Sequence, residues 1–139
     1  MSYIENLESV GKKMIVEEKG LKITEDAILL SEFMKKYFSR KRKNLKGEKS
    51  FLEIGAGQGI ISLLLSELDI ISKIFAVEIQ KEVFSTLKKN IEINDLNGKI
   101  IPINKNIKNG MCLTLSHFLY CYRINTSILL LFWKIFHKI

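Results

Sequence analysis

The stretch that most limits what this chain can become is residues 51–65, FLEIGAGQGIISLLL. A short apolar run, read as a buried strand, meets three alternating glycines, Gly55, Gly57 and Gly59, and a second apolar run of helical length begins at once. A chain leaving the carboxyl end of a strand must turn sharply to enter a helix. Gly55 allows the backbone angles of that turn. Gly57 removes a side chain so that a ligand can approach the backbone, and Gly59 lets the helix start close against the strand. A helix opening there directs unpaired N–H groups at an anionic group of the ligand. The plainer reading is that the glycines only make a tight turn.

The segments that follow give this stretch a setting. SKIFAVEIQ (72–80) is expected to be a strand, and KEVFSTLKKNIEIN (81–94) an amphipathic helix with Val83, Leu87 and Ile91 on one stripe. Asn97-Gly98 is a turn, and KIIPIN (99–104) is a third strand. Strand, helix, strand, helix, strand implies an α/β fold with a parallel sheet and right-handed crossovers, one half of a Rossmann-like sheet. Upstream, residues 1–23 read as a lead-in with a short extended piece, KKMIVEEKGLKI. Thr24 can cap a helix whose first turn is favoured by Glu25 and Asp26. That helix, DAILLSEFMKKYF, places Ile28, Leu29, Phe33, Met34, Tyr37 and Phe38 at helical spacing. Residues 39–50 read as a charged, solvated linker. The expected organisation is an N-terminal extension, helix and basic linker over 1–50, a cofactor-binding half over 51–110, and a divergent apolar tail over 111–139.

Which ligand suits the glycines is a question of spacing. A dinucleotide fingerprint puts its third glycine three residues after the second, where this chain has Ile60. Glu53 lies two residues before the first glycine, and a carboxylate is a poor neighbour for a pyrophosphate. It suits a ligand with an ammonium group and no phosphates, which describes S-adenosylmethionine. Glu78 ends the second strand, ~20 residues beyond the glycines, where a carboxylate can accept both ribose hydroxyls of an adenosine. The alternative role for Glu78 is to cap the following helix.

Charge is informative in its distribution. The chain of 139 residues has a formal net charge of +7, which fits either a polyanionic partner such as RNA or an ordinary basic surface. Part of the surplus is the run KKYFSRKRKNLKGEK (35–49), and part is that neither Asp nor Glu occurs after Asp95. The N-terminus carries acids and no apolar core of a secretory signal. The tail run SILLLFW is too short for a membrane span. Cys112 and Cys121 have no metal-ligand spacing and suggest buried thiols in a reducing compartment. A cytoplasmic protein without metal is the expectation.

LEIGAGQGIISLLL followed by KIFAVEIQKEVFSTLKKNIEINDLNGKI resembles the Rossmann-like class I S-adenosylmethionine-dependent methyltransferases. GLKITEDAILLSEFM adds a narrower resemblance, to the bacterial tRNA1(Val) adenine-N6-methyltransferases, over about residues 10–108. The resemblance implies the N-terminal part of that methyltransferase sheet, with S-adenosylmethionine as cofactor and tRNA or another RNA as partner of a monomeric enzyme. It implies Glu53 near the methionine ammonium, and Gly55, Ala56 and Gly57 along the methionine and ribose. Glu78 takes the ribose hydroxyls and Ile79 lies beside the adenine. Asn106 stands where the family carries an Asp that accepts from the adenine amino group, so weaker binding is expected. Thr24 and Asp26 close over the methionine end, or only cap the helix. The Asn-Pro-Pro-Tyr motif of the adenine enzymes is missing: the one proline is Pro102, and the region of the fourth strand reads CLTLSHFLYCYRIN. His117, Tyr120 and Tyr122 are not assigned to catalysis. The expectation is a truncated or frameshifted chain, marginally stable, that keeps the cofactor half. The alternatives are an inactive cofactor-binding or partner-binding fragment, and a methyltransferase acting on ribosomal RNA or protein.

Overall fold

The computed structural model describes residues 1–18, 23–41, 47 and 49–106, and the backbone of residues 120–123. Strands β1 (Ser2–Leu7) and β2 (Lys12–Glu17) pair in antiparallel register, Ser2 opposite Glu17 and Leu7 opposite Lys12. The expected lead-in is therefore a β-hairpin. Strand β2 falls in the extended piece that was expected; β1 gave no signal because all its residues but Leu7 are exposed. Gly11, at φ 61°, turns the chain between the strands.

Helix α1 (Glu25–Lys41) starts where the capping residue predicts. The Ala27 N–H donates to Thr24 Oγ1 at 3.4 Å, acids fill the first turn, and Arg40 and Lys41 fill the last. Thr24→Ala is expected to cost about 0.5–1 kcal/mol in urea unfolding, the usual loss for such a cap. The helix buries only part of the expected face, Met34 and Phe38, with Tyr37 packed against the core. Ala27, Ser31, Met34 and Phe38 are inside, whereas Ile28, Leu29 and Phe33 are 44%, 67% and 39% exposed. The buried stripe runs through a serine, which it can do because Ser31 Oγ donates to the Ala27 carbonyl at 2.7 Å. Helix α1 also runs into the expected linker, and β3 begins at its last residues.

The second sheet comprises β3 (Lys49–Ile54), β4 (Ile71–Val77), β5 (Ile100–Ile103) and β6 (Tyr120–Arg123) in the order β5-β4-β3-β6, every pair parallel. Helix α2 (Ile60–Leu65) connects β3 to β4, and α3 (Lys81–Glu92) connects β4 to β5. The expected strand–helix–strand–helix–strand order is the observed one. Every residue of α2 is buried, so its apolar residues form a run and not a stripe. Helix α3 buries Thr86, Leu87, Asn90 and Ile91, and two of these four are polar.

Within the 111–139 segment, where the region of the fourth strand was expected, the backbone at Tyr120–Arg123 lies parallel to β3, with Tyr120 opposite Phe51 and Arg123 opposite Ile54. Strand order therefore reverses between β3 and β6, the topology that opens a crevice at the carboxyl ends of such sheets. Cys112, His117 and the expected frame change lie outside the described residues, as do the side chains of Tyr120, Cys121 and Tyr122. Among the described residues no helix is long and apolar enough to cross a membrane.

Candidate functional site

The carboxyl ends of β3 and β4 bring the glycine loop, Glu53 and Glu78 together. Gly55, Gly57 and Gly59 all adopt positive φ, 77°, 58° and 95°, so each glycine is required by the backbone. Their jobs differ from the expected ones in one respect. A Cβ on Gly57 would meet nothing within 4 Å, so the space beside it is open. A Cβ on Gly59 would lie 2.6 Å from Leu87 Cδ1, so the close approach is to α3 and not to the strand.

The loop's amides are mostly used up inside the protein. Gly55 and Ala56 both donate to the Val77 carbonyl, at 2.8 and 2.9 Å, and Gly59 donates to the Ala56 carbonyl at 2.9 Å. Gly57 donates to Glu78 Oε2 at 2.9 Å. The loop is tied to the end of β4. That arrangement suits a ligand without phosphates.

Glu78 is buried and holds the backbone on both sides of it. Besides Gly57, its carboxylate accepts from the Gln80 N–H, Oε1 at 2.8 Å, which sets the entry to α3. Each oxygen keeps a second lone pair for a hydroxyl donor. Asn104, which sequence reading passed over, donates to the carbonyls of Glu78 (2.7 Å) and Ile79 (3.2 Å) and so fixes the β4 end to the β5 end. An asparagine just after a strand carries no recognisable signal until the neighbouring strand end is placed beside it. Ile79 is 55% exposed at this rim, an apolar surface of the kind a flat base would cover. Asn106 lies in the loop that follows β5, Thr24 just precedes α1, and Asp26 is in its first turn.

Glu53 is the chemical centre of the group. It is fully buried, it accepts a hydrogen bond from Ser62 Oγ in α2, and its Oε1 has no partner among the described residues. Burial pushes its carboxyl up from the usual 4.5 to about 7; hydrogen bonds from Ser62 pull it down, and the charge of Glu78 adds to the rise. A buried acceptor with an empty lone pair costs stability unless a donor arrives. An ammonium group supplies that donor, so the residues fit the methionine end of S-adenosylmethionine. Among the described residues no group of three His, Cys, Asp or Glu could hold a metal ion.

Comparison with known proteins agrees on the fold and corrects the narrower resemblance. No curated protein sequence matches the chain. The tRNA m1G37 methyltransferase of M. jannaschii superposes with a TM-score of 0.55 at 23% identity, over 78% of this chain and 31% of that one. M. jannaschii TYW2, solved in complex with AdoMet, gives 0.56 at 19% identity, over 78% and 45%. The human METTL16 catalytic domain, in complex with MAT2A 3′UTR hairpin 6, gives 0.64 at 20% identity, over 84% and 39%. The chain thus spans about a third to under half the length of these structures. A family model described as the TRM5/TYW2 methyltransferase domain matches residues 14–116.

This overturns the bacterial tRNA1(Val) adenine-N6 assignment. The residues that suggested it do jobs any such sheet needs. The glycines make the turn and Glu78 in VEIQ holds Gly57; of the paired leucines of DAILL on α1, Leu29 faces outward and Leu30 packs against the core. S-adenosylmethionine is the cofactor of this methyltransferase class, as the sequence led one to expect. The matched domain, the parallel sheet and the glycine loop together show that the chain belongs to the TRM5/TYW2 methyltransferase domain family.

Proposed function

We propose that this chain is the S-adenosylmethionine-binding half of a methyltransferase that acts on a base nitrogen of RNA, with residues 51–110 carrying the cofactor. The observation that carries this reading is the unpaired, buried Oε1 of Glu53 beneath an open glycine loop. Bound there, S-adenosylmethionine supplies a methyl group activated by its sulfonium. Glu53 receives the methionine ammonium and turns a buried penalty into a charge-assisted hydrogen bond. Gly55, Ala56 and Gly57 lie along the methionine and ribose. Glu78 accepts the ribose hydroxyls on its remaining lone pairs, Ile79 covers one face of the adenine, and Asn106 accepts from the adenine amino group. Lys36, Arg40 and Lys41 of α1 form part of a basic surface for a phosphate backbone.

The acceptor class is supported by relatives named for tRNA and solved with an RNA hairpin, and by the net charge of +7. A second reading, cofactor binding without turnover, has its own support. The segment NKNIKNGMCLTLSHFL (104–119), which leads from β5 towards β6, holds neither a proline nor a carboxylate. Titration calorimetry of the full chain with S-adenosylmethionine, then methyl transfer to unmodified tRNA, separates the two. One-site binding with transfer supports the enzyme, binding without transfer selects the second reading, and absence of binding refutes both. RNA affinity is expected to fall steeply as salt rises; an affinity indifferent to salt would count against the basic surface.

A further inference from the structure

The side chain of Gln58, in the middle of the glycine loop, points away from the ligand side and is 3% exposed. Its Oε1 accepts from the Glu17 N–H at 2.9 Å, and its Nε2 donates to the Glu17 carbonyl at 3.1 Å. Two further carboxamides repeat the pattern along β2. Asn90 accepts from the Ile15 N–H at 2.6 Å and donates to the Ile15 carbonyl at 3.0 Å. Asn94 does the same to Lys13, at 2.9 and 2.7 Å. Residues 13, 15 and 17 alternate along a strand whose other edge pairs with β1, so their backbone groups face outward together. Three side-chain amides, each mimicking a peptide unit, satisfy that edge in place of a further strand.

This ladder ties the hairpin to the loop at two points. Gln58 holds Glu17, and the Asn90 amide, fully buried in α3, also donates to the Gln58 carbonyl at 2.9 Å. Asn94, by contrast, touches the hairpin and the Asn90 carbonyl but no loop residue in its hydrogen bonds. Gln58 follows Gly57, whose open side and N–H bond to Glu78 define the ligand face. A glycine loop left to itself is the most conformationally free piece of chain in the site. Strapping its next residue on both the side chain and the carbonyl removes that freedom before a ligand arrives.

We propose that Gln58 is a positioning residue of the cofactor site, which holds the glycine loop in its binding geometry by strapping it to Glu17 of the N-terminal hairpin. The hairpin is then a working part of the cofactor site and not a separate extension. The inference rests on the reading that S-adenosylmethionine binds at this loop.

Coupling of this kind is reciprocal: if the hairpin orders the loop for the cofactor, the cofactor steadies the hairpin by the same factor. In the wild-type chain, saturating S-adenosylmethionine is expected to slow amide exchange of Glu17 by about tenfold, the scale of one buried hydrogen-bonded link, and to change Lys13 little. Gln58→Leu is expected to weaken S-adenosylmethionine binding by about tenfold in calorimetry and to abolish the slowing at Glu17. Asn94→Ala loosens the far end of the ladder and is expected to leave the affinity within about twofold while lowering thermal stability. Equal loss of affinity in both variants would mean that the ladder only supports folding, and would overturn the proposal. So would a wild-type chain that binds the cofactor with no change at Glu17, a measurement that stands even if Gln58→Leu does not fold. Failure of the wild-type chain to bind S-adenosylmethionine at all would overturn the site itself.

Discussion

Gly59→Ala is expected to destabilise the protein by about 3–5 kcal/mol, from backbone strain and overpacking together. The φ of 95° at Gly59 lies beyond the left-handed well that L-residues visit, and the new methyl group would sit 2.6 Å from Leu87 Cδ1. Leu87 is itself fully buried, so its tip cannot swing aside without disturbing the core between α3 and the sheet. The two causes separate in a Leu87→Ala background. There the steric part disappears, and Gly59→Ala is expected to cost only the backbone share, about 1–3 kcal/mol. Urea unfolding of the four chains measures both. A single-variant loss below about 1 kcal/mol would refute the close approach, because even modest overpacking costs more. The substitution should also abolish S-adenosylmethionine binding, since Gly59 N–H closes the loop onto Ala56.

What the sequence revealed, and what it hid, divides along a physical line. The parallel strands were legible because Phe51, Leu52, Ile74 and Val77 are buried in short apolar runs between turn signals. Capping of α1 by Thr24 was legible because it is a local contact. The burial of α1 was misjudged because three apolar residues outbid one serine in any hydropathy pattern, yet Ser31 solves its own hydrogen bond and goes inside. At the site, Glu53 and Glu78 stood out by spacing from the glycines. Gln58, Asn90, Asn94 and Asn104 did not, because each acts on a backbone group at least 25 residues away or on a neighbouring strand end. Carboxamides carry no charge and fit any surface, so only the folded arrangement shows that Gln58 and Asn90 hold the loop, Asn104 the β4 end and Asn94 the hairpin. The narrower family assignment failed for a related reason: Glu78 in VEIQ serves the turn, and DAILL lies on α1 with Ile28 and Leu29 exposed.

Glu53→Gln is expected to stabilise the cofactor-free protein at pH 8 and to disable it. In the folded chain the carboxyl is held at about 7 against an ordinary 4.5, chiefly because burial strips its water, with the Glu78 charge adding and Ser62 opposing. Between these values the folded state binds more protons than the unfolded state, so stability falls as pH rises through that window. The loss begins near pH 4.5, is complete just above pH 7, and totals about 3 kcal/mol at the usual conversion. Glutamine matches the protonated carboxyl in shape and never ionises. The variant should therefore be close to wild type at pH 5 and more stable by about 2–3 kcal/mol at pH 8; subtracting the two profiles cancels every other titrating group. Cofactor affinity is expected to move the other way. Removing one partner of a buried charge pair costs about 2 kcal/mol or more, roughly 30-fold in binding. The wild-type chain should also release close to one proton on binding near pH 6, because an ammonium beside Glu53 favours its charged form. That release appears as a binding heat that depends on the ionisation enthalpy of the buffer, and it should vanish in the glutamine variant. A glutamine variant that binds as tightly as wild type would remove Glu53 from the site, and one less stable at pH 8 would show that burial does not dominate its energetics. A substitution that strengthens the fold while it weakens the ligand marks a residue kept for binding at the expense of stability.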